Sequence, residues 1–464
     1  KKIWRCTHIM GNPVQNGSAN KTYFDGHKIS KVQKRFLIIA ALFYVFDQMD
    51  VSNFGFAAPS LMAQYNWSIQ QITNIGALNM LGMCIGAVIG GWTADIIGRK
   101  KSLLLYGFIF SFSSLGNAIF THYAAFAFFR TLTGVGTIAL VTIAMAYISE
   151  MMPSESRGKY QALAIAGGTI GIPLMAILAR IVVPMSPEGW RFIFILGGIG
   201  VIVCLLGFSW LKESPRWLVS QGRIEEARKV LTEIIPEAVL PDNAGETNAS
   251  HNTGIIEACK VMFGRAYIKR TIALLFVVTG VTLGNFYLAN LYQAVHTNMG
   301  FTLNDALTIN MLSALVVPIG NLIVSQVTDR GGRKTPIIVW YIAIGSIFII
   351  QGLFSSVLPI TVCMCLKGLL MSAAMTLAWT YTAESFPTQI RTSAGGIVLG
   401  LGRLISALAM VSASSIYISY GYFGVNLVNG LLFIVPALIF LVLGEKTAGT
   451  SLENLNPVNK SMSR

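Results

Sequence analysis

The sequence predicts an all-α membrane protein of twelve transmembrane helices, arranged in two pseudo-symmetric six-helix halves. Three observations predict this fold: the composition, the number of long apolar runs and an internal repeat. Of the 464 residues, 54% are hydrophobic and 12% are charged, and the mean hydropathy is +0.63. A soluble domain has about 25% charged residues, so a chain of this composition belongs in a bilayer.

Twelve apolar runs are long enough to span a membrane, because about 20 residues cross about 30 Å of hydrocarbon. The predicted spans lie near 36–60, 71–94, 103–121, 124–148, 160–183, 191–211, 271–293, 305–327, 336–354, 358–382, 393–418 and 422–444. The domain boundaries follow as a disordered cytoplasmic tail at 1–30, halves at 31–211 and 271–445, a cytoplasmic linker with amphipathic helices at 212–270, and a second tail at 446–464.

Lysine and arginine collect in alternate loops. Lys31, Lys34, Arg99 and Arg157 are on the side of the N-terminus, and the loop at 294–304 on the other side has essentially no such residue. Because cationic loops stay cytoplasmic, we expect both termini inside the cell and the chain in a bacterial inner membrane. The net charge of +14 is explained by this topology, and without a basic face carrying interleaved aromatics no nucleic-acid partner is predicted.

The linker begins with an amphipathic pattern. Trp217, Ile224 and Leu231 are seven residues apart within 214–235, and a Ser-Pro pair at 214–215 is a favourable helix start. We expect a helix that lies under the bundle.

The chain contains an internal repeat. The segment ADIIGRK at 94–100 recurs as TDRGGRK at 328–334, and YISEMMPSESR at 147–157 recurs as YTAESFPTQIR at 381–391, both with an offset of 234 residues. A shared offset indicates two homologous six-span halves. Repeated halves with a site between them near the midplane are the architecture of secondary transporters.

These motifs carry a resemblance to a known family. The segment GGWTADIIGRKKS at 90–102 resembles the loop signature of the major facilitator superfamily between helices 2 and 3, and its copy at 329–334 resembles the counterpart between helices 8 and 9. The segment RTLTGVG at 130–136 is similar to the fourth-helix signature. Signatures of the sugar-porter and related organic-acid branches, including aromatic-acid:proton symporters, are similar to ESPRWL at 213–218, AESFPTQIR at 383–391 and EKTAGTSLENL at 445–455. The resemblance covers about residues 30–455.

Charged residues in the repeated loops are candidates for a cytoplasmic gate. Arg99 follows a glycine turn and can pair with an acid such as Glu150 across a seam when the inner side closes. The alternative is plain positive-inside topology. The candidate gate residues are Asp95, Arg99, Glu150, Arg157, Glu213, Arg216, Asp329, Arg333, Glu384 and Arg391.

Two aspartates and one arginine lie at membrane depth in the first half. With about 1.5 Å of rise per residue, Asp50 on the first span and Arg130 on the fourth both lie about 21 Å from the inner face. A charge at this depth needs a partner or a cavity, so we expect them to pair, either as a static ion pair or as a pair that opens when Asp50 takes a proton. The pair resembles the proton-coupling arrangement of proton-linked sugar porters, and Asp47 is the alternative proton site.

The second half has two other buried cations, Lys367 and Arg403, that the repeat does not reproduce. Arginine binds carboxylates through a planar fork, so an anionic substrate would suit them. Alternatively, Lys367 neutralises Asp47 as a gate. The further candidate substrate-binding residues, some of them more often packing or interface residues, are Tyr44, Gln161, Asn285, Tyr287, Tyr292, Trp379 and Tyr381.

The cargo that we favour is a small organic acid, aromatic or another carboxylate, carried with protons by alternating access. A sugar or polyol is the alternative. The seventh span has no paired glutamines and the tenth has no Gly-Pro before Trp379, which departs from hexose porters. A nutrient sensor built on the same fold is a third possibility.

An enzyme is not predicted. The five histidines are all assigned to loops or tails, without metal-ligand spacing: His8, His27, His122, His251 and His296. No phosphate-binding G-x-x-x-x-G-K-[ST] loop is present. We therefore expect no metal and no cofactor. The expected partners are a small-molecule substrate, protons and the lipid bilayer, and we expect a monomer.

Overall fold

The computed structural model describes residues 23–154, 156–240, 255–331, 334–386 and 390–444. It describes the main chain alone for 255–257, 321–331, 383–384 and 391–393. All regular structure in these residues is helical.

The N-terminal half begins with two helices that start at the same kind of cap. The Ser30 side chain accepts a hydrogen bond from the main-chain N–H of Gln33, and the Ser68 side chain accepts one from Gln71. In return, the main-chain N–H of each serine donates to the side-chain oxygen of its glutamine. Such capping boxes satisfy main-chain donors that a helix start leaves open. The helices of this half are α1 Lys31–Tyr65, α2 Ile69–Ile97, α3 Arg99–Ile119, α4 Tyr123–Met151, α5 Arg157–Thr169, α6 Gly171–Val182, α7 Trp190–Gly198 and α8 Gly200–Trp210.

Three short helices follow, and then the C-terminal half. The short helices are α9 Pro215–Ser220, α10 Ile224–Ile234 and α11 Ile255–Met262. The C-terminal half consists of α12 Ile268–Phe286, α13 Tyr292–Asn298, α14 Leu303–Gly331, α15 Lys334–Gly352, α16 Val357–Ser385, α17 Arg391–Met410 and α18 Ser412–Leu443.

Eleven helical stretches of the described chain are long and apolar enough to span a membrane, and Ala394–Met410 is a shorter apolar helix between the last two of them. The chain is thus a multi-pass membrane protein with the two-half architecture that the sequence predicts. Two predicted spans differ in detail. The eleventh, expected over 393–418, ends at Met410, and the next helix bends at Gly421, where φ is +63°.

The seventh predicted span is the second difference. It was expected to be continuous over 271–293, but α12 ends at Phe286 and α13 begins at Tyr292. The intervening residues 287–291 include three apolar side chains and contain no glycine or proline, so the sequence gives no clear sign of the break.

Glycines bring α2 close to α4. A Cβ at Gly82 or Gly86 would collide with the main chain of Thr131 or Val135. Small residues at this spacing permit close helix contact in lipid. This contact fixes α4, and with it Arg130, against α2.

Two faces of the bundle are distinguished by charge. We call the end that carries Lys31, Arg99 and Arg157 the basic face, and the opposite end, where α1 ends and α2 begins, the far face. The two halves meet near the far face. Arg180 donates a hydrogen bond from Nε to Thr308 at 2.8 Å, and Ser414 bonds to Gln70.

A close approach of α1 to the α12–α13 connection completes this contact. A Cβ at Gly55 would be 2.9 Å from the carbonyl oxygen of Ala289, so only glycine allows the main chains to come so near. The two halves are therefore in direct contact at the far face.

The basic face is covered by α9 and α10. The predicted helix over 214–235 is two helices, separated at Gly222, where φ is +73°. Ser214 caps α9 by accepting from the N–H of Trp217, and the Trp217 indole donates to the carbonyl of Asp95 at 2.8 Å. The linker is therefore anchored to the N-terminal half.

The tail prediction also needs a correction. Residues 23–30 were expected to be disordered, but Phe24 is fully buried and Tyr23 donates a main-chain hydrogen bond to Val239 at 2.8 Å. A buried aromatic ring stabilises this short segment. The remainder of both predicted tails lies outside the described residues.

Candidate functional site

The centre of the N-terminal half contains a buried ion pair. Arg130 on α4 donates from Nη1 to Oδ1 of Asp50 on α1 at 3.0 Å, and the side chains are 3% and 1% exposed. Asn53, one turn after Asp50, donates to the same oxygen at 3.3 Å. The contact expected from the depth of the two residues is present in the structure, whereas the role of the pair remains a prediction.

The pair is not fully satisfied. Oδ2 of Asp50 and Nε of Arg130 have no hydrogen-bond partner among the described residues. The Arg130 guanidinium lies 5.8 Å from the ring centres of Phe54 and Phe194. A carboxylate oxygen without a donor in an apolar environment is costly, and it is the atom at which a proton would be best accommodated.

A small cavity connects Arg130 to the contact between the halves. Its volume is about 20 Å³, which is room for about one water. Asn79 and Arg130 line it from the N-terminal half, and Phe286, Asn290 and Met410 line it from the C-terminal half. A movement of the Arg130 side chain would therefore change the shape of a cavity that both halves line.

A second group of charges lies between the halves. Asp47 on α1 is 7% exposed and accepts a hydrogen bond from Gln48 at 2.6 Å. It interacts electrostatically with Asp50 and with Arg403 of α17. Arg403 also interacts with Tyr44. The charges thus form a series that runs from α17 across the contact between the halves into the N-terminal half.

Arg403 has no carboxylate within ion-pair distance among the described residues. Its side chain is half-buried. A guanidinium at this depth that is partly open and not bound to an acid has free donors for an anion.

Lys367 is in a different environment from Arg403, although the sequence suggested a common site. Its Nζ donates to the Tyr292 hydroxyl at 2.6 Å and lies 3.4 Å from Oε1 of Gln351. It also lies 4.1 Å and 4.4 Å from the ring centres of Tyr292 and Phe348. No acid lies within ion-pair distance of it in the described part of the chain, so Lys367 is not paired with Asp47 in this conformation, and its role as a gate stays a prediction.

The other candidate substrate residues divide between the site and the packed interior. Tyr44 lies within electrostatic range of Asp47 and Arg403, and its ring packs against Gly168 of α5. Tyr381 is buried with its ring edge against Phe440 at 5.0 Å, and Tyr287 is buried and bonded to Ser412 at 3.0 Å. These two tyrosines contribute to packing of the C-terminal half because they are enclosed within it.

Three more candidates remain. Gln161 donates to the carbonyl of Met145 at 3.0 Å and so links α5 to α4. Trp379 is 37% exposed and Asn285 is half-buried. Of the seven aromatic and amide candidates, Tyr44 is thus the one that the recorded interactions bring to the charges between the halves.

The gate residues of the first repeat form a network on the basic face. Arg99 bonds to Asp95 at 2.6 Å and to Glu150 at 2.9 Å. Glu213 accepts from the main-chain N–H groups of Arg99 and Lys100 at 2.8 and 3.1 Å. The pairing of Arg99 with Glu150 that the sequence predicted is present and joins α2, α3 and α4 inside the N-terminal half, whereas its role as a latch stays a prediction.

Burial raises the pKa of Glu213, and hydrogen bonds from the main chain of Lys100, Ser214 and Arg99 oppose that shift. Gly98, which precedes these donors, has φ of +102° and no room for a Cβ beside the carboxylate. The glycine of the motif is therefore required both for the turn and for the approach of Glu213.

The remaining gate candidates whose side chains are described are not part of this network. Arg157 is exposed, and the Arg216 guanidinium lies 4.6 Å from the ring centre of Tyr23. The second-repeat candidates lie outside the residues whose side chains are described: Asp329, Arg333, Glu384 and Arg391.

Several polar residues near the charges were missed at the sequence level. Asn53 follows Asp50 by three residues, a spacing that places it on the same helix face, and this signal was available. Gln351 and Asn79 reach Lys367 and the carbonyl of Arg130 only through packing. His296, which was assigned to a loop, lies in α13 and is fully buried.

Comparison with known proteins identifies similar transporters. The sequence model of the family described as Major Facilitator Superfamily matches residues 40–350 and 274–459. "Putative metabolite transport protein YyaJ" of Bacillus subtilis (strain 168) is 31% identical over 94% of this chain and 97% of its own length. The niacin transporter NiaP of Acinetobacter baylyi is 23% identical, over 92% and 97%. The 4-hydroxybenzoate transporter PcaK of the same organism is 27% identical, over 81% and 83%.

The fold is similar to that of a solved transporter. The crystal structure of a D-xylose-proton symporter superposes with a TM-score of 0.72 at 18% identity, covering 90% of this chain and 99% of that chain. At this identity the similarity concerns the fold alone.

Proposed function

The chain belongs to the major facilitator superfamily of membrane transporters, and we propose that it carries a small organic acid, an aromatic carboxylate, together with protons. One observation supports the cargo: Arg403 lies between the halves, half-buried and with no carboxylate bound to it in the described residues. Tyr44, within electrostatic range of it, offers a ring on which an aromatic acid can stack. Niacin and 4-hydroxybenzoate, named for two similar transporters, are both aromatic carboxylates.

Proton coupling is assigned to the aspartates of α1. A proton on Asp50 would sit on Oδ2, the oxygen without a partner, and would remove the charge that holds Arg130. Because Arg130 lines the cavity shared with the other half, its release would alter the contact between the halves at the far face. Asp47, between Asp50 and Arg403, is the alternative proton carrier and would link protonation to cargo.

Transport then follows alternating access. We propose that the basic face is cytoplasmic, with both termini inside, that the halves comprise 31–211 and 271–445, and that the membrane is a bacterial inner membrane. With the halves in contact at the far face, the cargo would exchange with the cytoplasmic side. Residues 212–270 would tether the halves beneath the bundle.

The cargo assignment is tested by binding to the purified protein, with 4-hydroxybenzoate and its neutral analogue 4-hydroxybenzamide. Arg403→Gln should weaken binding of the acid by about 1.5–3 kcal/mol, the contribution of a charge-assisted hydrogen bond, and should leave the amide nearly unchanged. Arg35→Gln, the same change at an exposed position, is the matched control.

Three outcomes would contradict the proposal. Equal losses for acid and amide would make Arg403 structural. Counterflow of D-xylose into proteoliposomes, without counterflow of any carboxylate in a panel, would favour the sugar alternative. Binding without accumulation in the same proteoliposomes would indicate a sensor.

A further inference from the structure

A second concave site lies on the basic face, away from the charges between the halves. We call it the basic groove. It has a volume of about 580 Å³ and lies between the start of α3, the end of α8 and the helices α9 and α10. Its lining includes Lys100, Lys101, Phe108, Phe208, Glu213 and Glu226.

The groove has an excess of positive charge that its own acids do not neutralise. Glu226 is bound to Arg223 at 2.5 Å, and Glu213 is held by main-chain N–H groups. Lys100 donates to the carbonyl of Phe208 at 2.9 Å, and Lys101 is exposed. No acid lies within ion-pair distance of either lysine among the described residues, so both can bind an anion.

The wall of the groove above these lysines is apolar and continues onto the outside of the bundle. The Phe108 and Phe208 rings are 5.8 Å apart, and Phe108 also stacks on Phe112 at 6.0 Å. Leu105, Phe208 and Phe112 are 43%, 54% and 59% exposed. On a membrane-spanning bundle this stripe faces hydrocarbon.

We propose that the basic groove binds an anionic phospholipid of the adjacent leaflet, with its phosphate on Lys100 and Lys101 and an acyl chain along Phe108 and Phe208. A cationic rim at the end of the helices with an apolar wall above it fits a molecule that has a charged head and an apolar tail. A water-soluble anion would use the lysines alone. A bound lipid would hold α9 and α10 against the N-terminal half.

The test is native mass spectrometry of the purified full chain, titrated with phosphatidylglycerol or phosphatidylcholine of identical acyl chains. The wild type should bind phosphatidylglycerol more tightly. Lys100→Gln/Lys101→Gln should reduce its apparent affinity at least about tenfold and leave phosphatidylcholine within about twofold. The matched control is Lys31→Gln/Lys34→Gln, the same charge change at exposed positions of the basic face outside the groove.

A further variant tests whether the acyl chain of the lipid contributes to binding, and competition with inorganic phosphate tests whether the head group alone accounts for it. Phe108→Ser should weaken phosphatidylglycerol binding, and millimolar inorganic phosphate should not displace the lipid. Equal losses in both lysine pairs, equal binding of the two lipids by the wild type, or full displacement by phosphate would each overturn the proposal. If the double variant does not fold, Lys101→Gln alone decides the same comparison. Lipid retention is measured without transport, so the result is independent of the proposed cargo.

Discussion

Arg130 in the N-terminal half and Lys367 in the C-terminal half are both buried cations on corresponding helices, and their surroundings differ. By the 234-residue offset, the residue that corresponds to Arg130 in the second half is Met364, one helical turn before Lys367. Arg130 has a carboxylate at 3.0 Å, whereas Lys367 has a tyrosine hydroxyl, a glutamine oxygen and two aromatic rings.

The difference shows that the repeated scaffold carries two kinds of charge. A paired charge depends on its partner, because removal of one member leaves the other buried and uncompensated. A cation surrounded by π-faces and neutral acceptors leaves no opposite charge behind when it is removed. In the proposed mechanism a proton on Asp50 would remove the charge that pairs with Arg130, whereas the C-terminal half has no described acid next to its lysine on which a proton could act in this way.

The largest expected effect is on transport, and it distinguishes the Asp50–Arg130 pair from Lys367. Asp50→Asn mimics the protonated acid permanently, so proton-driven accumulation of cargo in proteoliposomes should fall to the passive level. Exchange of cargo should survive, since it needs only reorientation of the loaded carrier. Lys367→Met should retain at least part of the accumulation.

Asp47→Asn in the same assay shows which aspartate carries the proton. Normal accumulation by Asp50→Asn under a pH gradient would mean that the pair with Arg130 is structural. Loss of accumulation in Lys367→Met to the same extent would remove the distinction between the halves.

The next effect concerns stability. Arg130→Met leaves Asp50 buried without its cation and should lower the free energy of unfolding by about 3–5 kcal/mol. Lys367→Met removes the hydrogen bonds from Nζ to Tyr292 and Gln351 but leaves no opposite charge unpaired, so it should cost less, about 1.5–3 kcal/mol. Unfolding in mixed micelles with increasing dodecyl sulfate measures both.

The double variant Asp50→Leu/Arg130→Met is the internal control. It removes both charges and should recover most of the stability lost in Arg130→Met. Equal losses for Arg130→Met and Lys367→Met would show that the carboxylate partner is not what distinguishes the two cations.

The smallest effect concerns Glu213, a carboxylate held by main-chain donors instead of by a cation. Its pKa is raised above the ordinary value of 4.5, chiefly by burial, so the folded protein takes up this proton more readily than the unfolded chain. Its contribution to stability is therefore greatest at low pH and decreases as the pH rises from about 4.5 through the folded pKa. Glu213→Gln, which retains an acceptor oxygen, should flatten this part of the pH profile.

The measurement is the apparent unfolding temperature in detergent at several values between pH 4.5 and 7, with an expected difference of about 2 °C or less. Glu237→Gln, at an exposed linker position, is the control. A profile of Glu213→Gln that is as steep as that of the wild type would show that Glu213 does not titrate in this window.

Much of the fold could be predicted because its signals are local or periodic. Span length and loop charge follow from the energetics of hydrocarbon and of the membrane potential, and the 234-residue offset relates the two halves. The break between α12 and α13 was missed because no glycine or proline between Phe286 and Tyr292 marks it in the sequence. The bend at Gly421 depends on a positive φ that hydropathy does not report.

The site was predicted in part for the same reasons. The depth of Asp50 and Arg130 can be counted along two helices, and a buried charge requires a partner, so their contact could be expected from the sequence. The depth of Lys367 and Arg403 was also countable, but depth gives no information about the direction in which a side chain points around its helix. Lys367 on α16 contacts Tyr292 and Gln351, whereas Arg403 on α17 lies within electrostatic range of Asp47.

The sequence by itself determined the membrane environment, the two halves, the charged loops and the residues that have to be neutralised at depth, because these properties follow from composition and helical rise. Only the tertiary structure decided which partner each charge obtained. Partner choice depends on how helices rotate and cross, which is set by close contacts such as those of Gly82 and Gly86 with α4. The same packing placed Arg99 with Glu150 inside one half and assembled the basic groove from two separate segments of the chain, 100–108 and 208–230.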